Sequence, residues 1–202
     1  VGVAFMLLCA LSGDSETMLN RYGDLLALGT LADMMSLTGF NRDLMRRCLL
    51  LLEESARPGL VALRKVAGLL DKTMSVSNVS FGLAPRLNAA GRMADPELAL
   101  RLLLCDDEEE CDQLAADIQN LNVQRQQATN DILEQVESQL ECHPEWLLDR
   151  VLVVCGKDWH GGLLGLVAAR LLERFGKPTI ALTLGEDGLA HGSCRSLQGF
   201  SI

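Results

Sequence analysis

A long run of regularly spaced apolar residues constrains the fold of this chain more than any other feature. After Asp107 these residues recur at steps of three, four or seven positions, at Leu114, Ile118, Leu121, Ala128, Ile132, Val136 and Leu140. Such spacing places them on one side of an α-helix, and it predicts an amphipathic helix of about 30 residues and about 45 Å. Asp107 with Glu110 three residues later is typical of a capped helix start, and His143-Pro144 predicts the end.

A helix of this length between two unlike segments predicts a connector between domains. We therefore expect an N-terminal part over residues 1–105, a connecting helix over 106–144 and a C-terminal part over 145–202. A helix packed inside one domain is the alternative interpretation. Because neither end has the features of a natural terminus, we expect the chain to be the middle of a longer protein.

The N-terminal part contains a short, unbroken apolar run, Leu25 to Ala32, which ends at Asp33. This pattern predicts a strand that is buried on both faces of a parallel sheet. Helices are predicted from Asn41 and over about Leu60 to Leu70. The segment Phe81 to Arg92 has no clean period, which predicts a shaped loop.

The C-terminal part has the pattern of a strand, a helix and two further strands. The predicted elements are a strand over 151–155, a helix over 163–175, a strand over 179–184, a turn over 185–188 and a strand over 189–195. Gly176 and Pro178 mark the end of the helix. Both ends of the chain are therefore predicted to be α/β.

The composition excludes several classes of protein. With 49% hydrophobic and 22% charged residues among 202, the chain has enough apolar side chain for a core, so a disordered tail is excluded. Its apolar runs are shorter than the roughly 20 residues that span a bilayer, so we expect no membrane span. The seven cysteines include no Cys-x-x-Cys pair, and they predict reduced thiols of a cytoplasmic protein.

The net charge of −9 argues at first against binding to nucleic acid. The acidic residues are unevenly distributed, because residues 94–149 hold 15 acidic and two basic residues, a net charge of −13, whereas the rest carries +4. The acidity thus belongs to the predicted connector and its flanks. A local phosphate-binding site elsewhere is compatible with the composition.

Three groups of residues are candidates for binding metal ions or phosphate. Asp33, at the end of a buried run, is a candidate ligand for Mn²⁺ or Mg²⁺, or alternatively a helix N-cap or the ion-pair partner of an arginine. Arg86, Asn88 and Arg92 lie among small residues and predict a phosphate cradle, because arginine binds phosphate oxygens bidentately; the alternative is a structural arginine–carboxylate network.

The third group lies in the C-terminal part. His160 precedes two glycines at a predicted helix start, where free N–H groups can hold an anion. Ser193 and Arg195 are two residues apart on a predicted strand, so they share one side of it. This pair is compatible with a phosphate grip and equally with an ordinary surface strand.

Four segments, in this order and spacing, resemble RecJ-type exonucleases specific for single-stranded DNA, within the DHH phosphoesterase superfamily. They are Leu28 to Asp33, Ala84 to Arg92, Trp159 to Ala168 and Gly192 to Ser196. The resemblance covers essentially the whole chain. It implies the C-terminal part of a DHH domain with a parallel sheet and helices, a long connecting helix, and part of an α/β DHHA1 domain.

The resemblance also implies a function and roles for residues. It implies a metal-dependent 5′–3′ exonuclease of DNA repair and recombination that uses two Mn²⁺ or Mg²⁺ ions. Asp33 matches a metal-binding aspartate, with Asp24 a weaker candidate. Arg86, Asn88 and Arg92 match the segment near the scissile phosphate, His160, Ser193 and Arg195 match DHHA1 motifs, and His160 and Arg86 are the implied catalytic residues. The implied partners are single-stranded DNA and repair or single-strand-binding proteins.

The chain departs from the family pattern because it has no Asp-x-Asp, Asp-His-His or Gly-Gly-His motif. We expect that the chain alone retains no metal ions and has no nuclease activity. Two rival functions stay open at this point. One is a related phosphodiesterase that acts on short oligonucleotides or cyclic dinucleotides, and the other is a relative that binds nucleic acid without cleaving it.

Overall fold

The computed structural model describes residues 1–185 and 187–202, which form two compact units, Val1–Asn122 and Val123–Ile202. The division between the units falls inside the predicted long helix. This helix, α7, runs over Glu108–Cys142 and has 35 residues. Asp107 Oδ1 accepts a hydrogen bond of 2.8 Å from the backbone N–H of Glu110, so the predicted capped start is confirmed.

The described part of the first unit is helical. Its elements before α7 are α1 (Gly2–Ser12), α2 (Ser15–Ala32), α3 (Gly39–Glu53), α4 (Pro58–Val66), a π-helical turn (Asn78–Leu83), α5 (Ala84–Met93) and α6 (Glu97–Leu104). The core is formed mainly by leucines, because Leu26, Leu52, Leu60 and Leu63 are almost completely buried. Helix α2 packs against both α1 and α3.

The predicted strand over Leu25 to Ala32 is wrong, because these residues form the last turns of α2. The helix begins upstream, where Asp14 Oδ1 accepts the backbone N–H groups of Glu16 and Thr17 at 3.1 and 3.0 Å. A short apolar run does not distinguish a strand from a buried helix segment. The parallel sheet predicted for this part is accordingly absent from the described residues of the first unit.

The predicted loop over Phe81 to Arg92 is also helical. The π-helical turn passes directly into α5, and Pro85 lies in the first turn of α5, where its missing N–H is tolerated. Ala84, Ala89 and Ala90 form the buried side of this helix. The prediction of a loop is therefore wrong, because the lack of a clean apolar period reflects a change from a π-helical turn to an α-helix within the segment.

The second unit contains a three-stranded sheet. After a 3₁₀ turn (Pro144–Leu148), the chain forms β1 (Leu152–Lys157), α8 (Gly161–Phe175), β2 (Thr179–Leu184) and β3 (Ala190–Arg195). The sheet order is β1-β2-β3, with β1 and β2 parallel and β2 and β3 antiparallel. Helix α8 packs on β2 and β3. The predicted strand, helix, strand, strand order is thus confirmed, except that Glu186 of the predicted turn lies outside the described residues.

The described residues combine helices with one small mixed sheet, so the predicted α/β class is confirmed. Among the helices of the described residues, none combines the length and the apolar character that a membrane crossing requires.

Candidate functional site

The predicted site residues fall into two sets, one in each unit. Asp33 belongs to the first unit, where it is the C-cap of α2 and is exposed. Its side chain borders an apolar groove of about 600 Å³ whose walls include Phe5, Leu26, Phe40 and Met45. The structure therefore presents one accessible carboxylate beside apolar side chains.

Asp24, the weaker metal candidate, has its carboxylate engaged by protein groups. Oδ2 accepts from Ser55 Oγ at 2.7 Å and from Arg57 Nε at 2.8 Å, and Oδ1 accepts the backbone N–H of Leu25 at 2.7 Å. This network ties α2 to the segment that follows α3. Such an arrangement is typical of an ion pair that stabilises the fold.

The described residues contain no group of three or more His, Cys, Asp or Glu side chains that could hold a metal ion. The set present therefore does not make a complete site for Mn²⁺ or Mg²⁺, which take several oxygen ligands. Asp33 alone is suited to contribute a single ligand.

Arg86 is tied to its surroundings by two hydrogen bonds. Its Nε donates to Gln119 Oε1 of α7 at 2.7 Å, and its Nη1 donates to the carbonyl oxygen of Gly82 in the π-helical turn. Burial lowers the pKa of this guanidinium from its ordinary value. The partners are an amide and a carbonyl, not the carboxylate of the alternative interpretation, and they hold α5 against α7.

Asn88 and Arg92 lie on another side of α5. At 3.6 residues per turn, these two are about 40° apart around the helix axis, whereas Arg86 is about 120° or more from both. Asn88 is exposed and Arg92 is half-buried. The helix therefore brings Asn88 and Arg92 together and separates Arg86 from them.

In the second unit, His160 is held by a tight turn after β1. Trp159 is buried against Gly156, its backbone N–H donates to Thr183 Oγ1 at 3.1 Å, and its indole N–H donates to Gln135 at 2.9 Å. His160 itself is the exposed N-cap of α8, and its Nδ1 accepts the backbone N–H of Gly162 at 3.2 Å. Since Nδ1 accepts, Nε2 is the donor that this imidazole offers outward.

Two residues beside these positions have strained backbones. Among the described residues, Met34 (φ 51°) and Asp158 (φ 61°) are the non-glycine residues with positive φ. Met34 follows Asp33, and Asp158 lies two positions before His160. Strain of this kind persists where the surrounding structure enforces it, which occurs often at functional sites.

Ser193 and Arg195 share one side of β3, as the sequence predicts. Arg195 Nη1 donates to Ser193 Oγ at 3.0 Å and to the carbonyl oxygen of Cys194 at 2.7 Å. The guanidinium lies over Gly165 of α8, because a Cβ there would be 2.8 Å from Arg195 Nη2. Gly165 therefore leaves the space that this pair occupies.

Gly165, which lies under the Ser193 and Arg195 pair, is a residue that sequence reasoning did not single out. It lies within the Trp159 to Ala168 segment, but a glycine inside a helix reveals only that something approaches closely. The contact with Arg195 required the packing of α8 on β3. Gly156 likewise leaves space that another side chain fills, because a Cβ there would clash with the Trp159 ring.

Comparison with known proteins places these residues in context. No family model matches the chain. It is 39% identical over 208 residues to the single-stranded-DNA-specific exonuclease RecJ of Bacillus subtilis (strain 168), covering 100% of this chain and 25% of that protein. RecJ of Escherichia coli (strain K12) is 36% identical over 223 residues, which is 100% of this chain and 38% of the relative.

Solved structures agree with the sequence matches. A crystal structure of RecJ in complex with Mn²⁺ from Thermus thermophilus superposes with a TM-score of 0.78 at 35% identity, over 90% of this chain and 26% of the other. A structure of exonuclease RecJ bound to manganese gives a TM-score of 0.76 at 34% identity, over 90% of this chain and 44% of that one. The resemblance predicted from the sequence is confirmed, and the chain spans 25% of the length of the Bacillus subtilis protein and 38% of the length of the Escherichia coli protein.

Proposed function

We propose that this chain is a segment of a RecJ-type exonuclease that hydrolyses phosphodiester bonds of single-stranded DNA from the 5′ end, in DNA repair and recombination. The observation that carries the proposal is the 39% identity to a RecJ protein along the whole chain. The arrangement of Ser193, Arg195 and Gly165 supports it, because a guanidinium and a hydroxyl on one strand face form an exposed donor pair for phosphate.

The site residues take different roles in this proposal. Ser193 and Arg195 bind phosphate through side-chain donors, and Asn88 with Arg92 forms a second contact on α5. His160 donates from Nε2 to a phosphate oxygen, because Nδ1 is already occupied by the N–H of Gly162. Arg86 has two roles in the proposal. It positions α5 through its hydrogen bonds to Gln119 and Gly82, and it also contacts a phosphate directly.

For the metal, we propose that Asp33 supplies one ligand and that the other ligands come from outside these 202 residues. Bound Mn²⁺ or Mg²⁺ would supply an activated water and stabilise the leaving oxygen. The residues of this chain would orient the strand and its phosphates. The proposed cellular setting is the cytoplasm, with single-strand-binding or repair proteins as partners.

The full-length protein provides the test. We expect Arg86→Ala and Arg92→Ala each to weaken binding of a 5′-labelled single strand and to lower the slope of log affinity against log salt by about 0.7, the value for one phosphate contact in single strands. Arg101→Ala is the matched control, because Arg101 pairs with Glu110 on an acidic surface. Unchanged affinity and cleavage in both variants would contradict the phosphate cradle.

The rival phosphodiesterase and binding-only functions are separated by substrate length and by activity. A RecJ-type enzyme degrades long single strands in preference to dinucleotides. A stronger preference for dinucleotides would favour the rival phosphodiesterase, and strand binding without metal-dependent cleavage would favour a non-catalytic relative.

A further inference from the structure

His191 lies on the same face of β3 as the Ser193 and Arg195 pair. The pairing of β3 with β2 is continuous from Ala190 to Arg195, so alternate residues point to the same side. His191, Ser193 and Arg195 therefore form one row of side chains on the face that packs towards α8. His191 is exposed.

The neighbour of His191 across the sheet ties this row to the turn that holds His160. His191 pairs with Thr183 of β2, and residues that pair directly in antiparallel strands have their Cβ atoms about 5 Å apart on one face. Thr183 Oγ1 in turn accepts the backbone N–H of Trp159, which precedes His160. The row therefore extends from Arg195 to the carboxyl ends of β1 and β2, where ligands of α/β sheets commonly bind.

We propose that His191 binds the phosphate that neighbours the one held by Ser193 and Arg195. Residues two apart on a strand are separated by about 6.5–7 Å, which is comparable with the spacing of neighbouring phosphates in an extended single strand. An imidazole N–H donates to a phosphate oxygen, as a guanidinium does, with one donor in place of two. The inference rests on the proposed function and deepens it, because it assigns a track for consecutive phosphates to β3.

Gly161, which follows His160 at the start of α8, is exposed. A Cβ at Gly161, in the first turn of α8, would meet nothing within 4 Å. A strand that follows the row from Arg195 to His191 runs towards Thr183, whose Oγ1 accepts the backbone N–H of Trp159 in the turn before His160. A ligand with a second phosphate should therefore gain the contact with His191 that a ligand with one phosphate does not make.

The test compares a ligand that has one phosphate with a ligand that has two. Thymidine 5′-phosphate and 5′-phosphorylated dithymidine are titrated into the full-length protein and into its His191→Ala, His191→Lys and Arg195→Ala variants. His143→Ala is the matched control, because His143 is an exposed histidine that stacks on Trp146 at the far end of α7. Circular dichroism and the urea midpoint confirm that each variant is folded.

We expect His191→Ala to weaken binding of the dinucleotide about five- to tenfold and to leave binding of the mononucleotide within about twofold. His191→Lys should restore dinucleotide binding, because lysine also donates to phosphate. Arg195→Ala should weaken binding of both ligands, and His143→Ala of neither.

Two outcomes would overturn the inference while the proposed function stands. One is an unchanged dinucleotide affinity in His191→Ala beside a clear loss in Arg195→Ala. The other is an equal loss for both ligands in His191→Ala, which would place His191 on the same phosphate as Arg195. If the wild-type protein binds neither these ligands nor a long single strand, the proposed function itself fails.

Discussion

Substitution of Gly165 by alanine should separate phosphate binding from stability. The new Cβ would lie 2.8 Å from Arg195 Nη2 and 3.2 Å from Ser193 Oγ, so the guanidinium must move. Because Nη2 is the far end of a flexible side chain, the backbone can stay in place. The substitution therefore displaces the Arg195 guanidinium, which we propose binds phosphate, without disturbing the packing of α8 on β3.

The free energy of unfolding should change little. Alanine in a helix interior is favoured over glycine by about 1 kcal/mol. Loss of the exposed hydrogen bond between Arg195 and Ser193 removes about 0.5 to 1 kcal/mol, near the lower end for such bonds. The two effects nearly cancel, so we expect the unfolding free energy to stay within about 1 kcal/mol of wild type.

Phosphate binding should fall much more. Displacement of a guanidinium from its place reduces affinity for a single strand by about tenfold, which is about 1.4 kcal/mol. The measurement pairs urea unfolding with fluorescence anisotropy of labelled oligothymidine. Gly2→Ala is the control, because its Cβ meets nothing within 4 Å and it lies in α1.

A double-mutant cycle decides the cause. If the alanine acts through Arg195, then Gly165→Ala should have little further effect in an Arg195→Ala background. Two results would refute the inference that the space over Gly165 orients this guanidinium. One is a wild-type affinity for the single strand in Gly165→Ala, and the other is full additivity of the affinity losses of Gly165→Ala and Arg195→Ala.

Three further predictions concern stability, thiol chemistry and metal. Arg64 is buried and donates to the carbonyl oxygens of Glu53 at 2.7 Å and Leu70 at 2.8 Å. Arg64→Met should leave these two acceptors unpaired and lower the unfolding free energy by about 2 kcal/mol. An unchanged urea midpoint would contradict this prediction. Burial raises the pKa of Cys111 to about 12, so this thiol forms its reactive thiolate only at high pH. Iodoacetamide at about pH 8 should therefore label the exposed Cys142 and Cys194. Cys111 should stay unmodified until the chain unfolds. The 202-residue chain alone should show no Mn²⁺ binding in calorimetry and no Mn²⁺-dependent degradation of a single strand, and degradation abolished by Asp33→Ala would prove that expectation wrong.

The long helix and the second unit could be predicted because their signals are local. The apolar spacing of α7 and the cap at Asp107 are read within a few residues of one another, and the structure confirms both. The strand order of the second unit was also predictable, since short apolar strands are bounded there by glycine-rich turns. The shared side of Ser193 and Arg195 followed from strand alternation alone.

The first unit shows where local signals failed. Leu25 to Ala32 reads as a buried strand only when it is considered without Asp14, which begins the same helix eleven residues earlier. The Phe81 to Arg92 segment has no clean period and was predicted as a loop, but it is helical, and helical geometry places Arg86 about 120° or more around the axis from Asn88 and Arg92. Side chains that share a segment need not share a face, and the type of element decides which of them do.

The sequence by itself determined the period of the long helix, the strand, helix, strand, strand order and the family resemblance, because each depends on residue spacing along the chain. The tertiary structure alone decided which groups meet: Arg86 with Gln119, Arg195 with the space over Gly165, and His191 with Thr183 beside the turn of Trp159. These contacts join residues that are far apart in sequence. Their physical basis is the packing of whole elements against one another, which no local pattern of residues encodes.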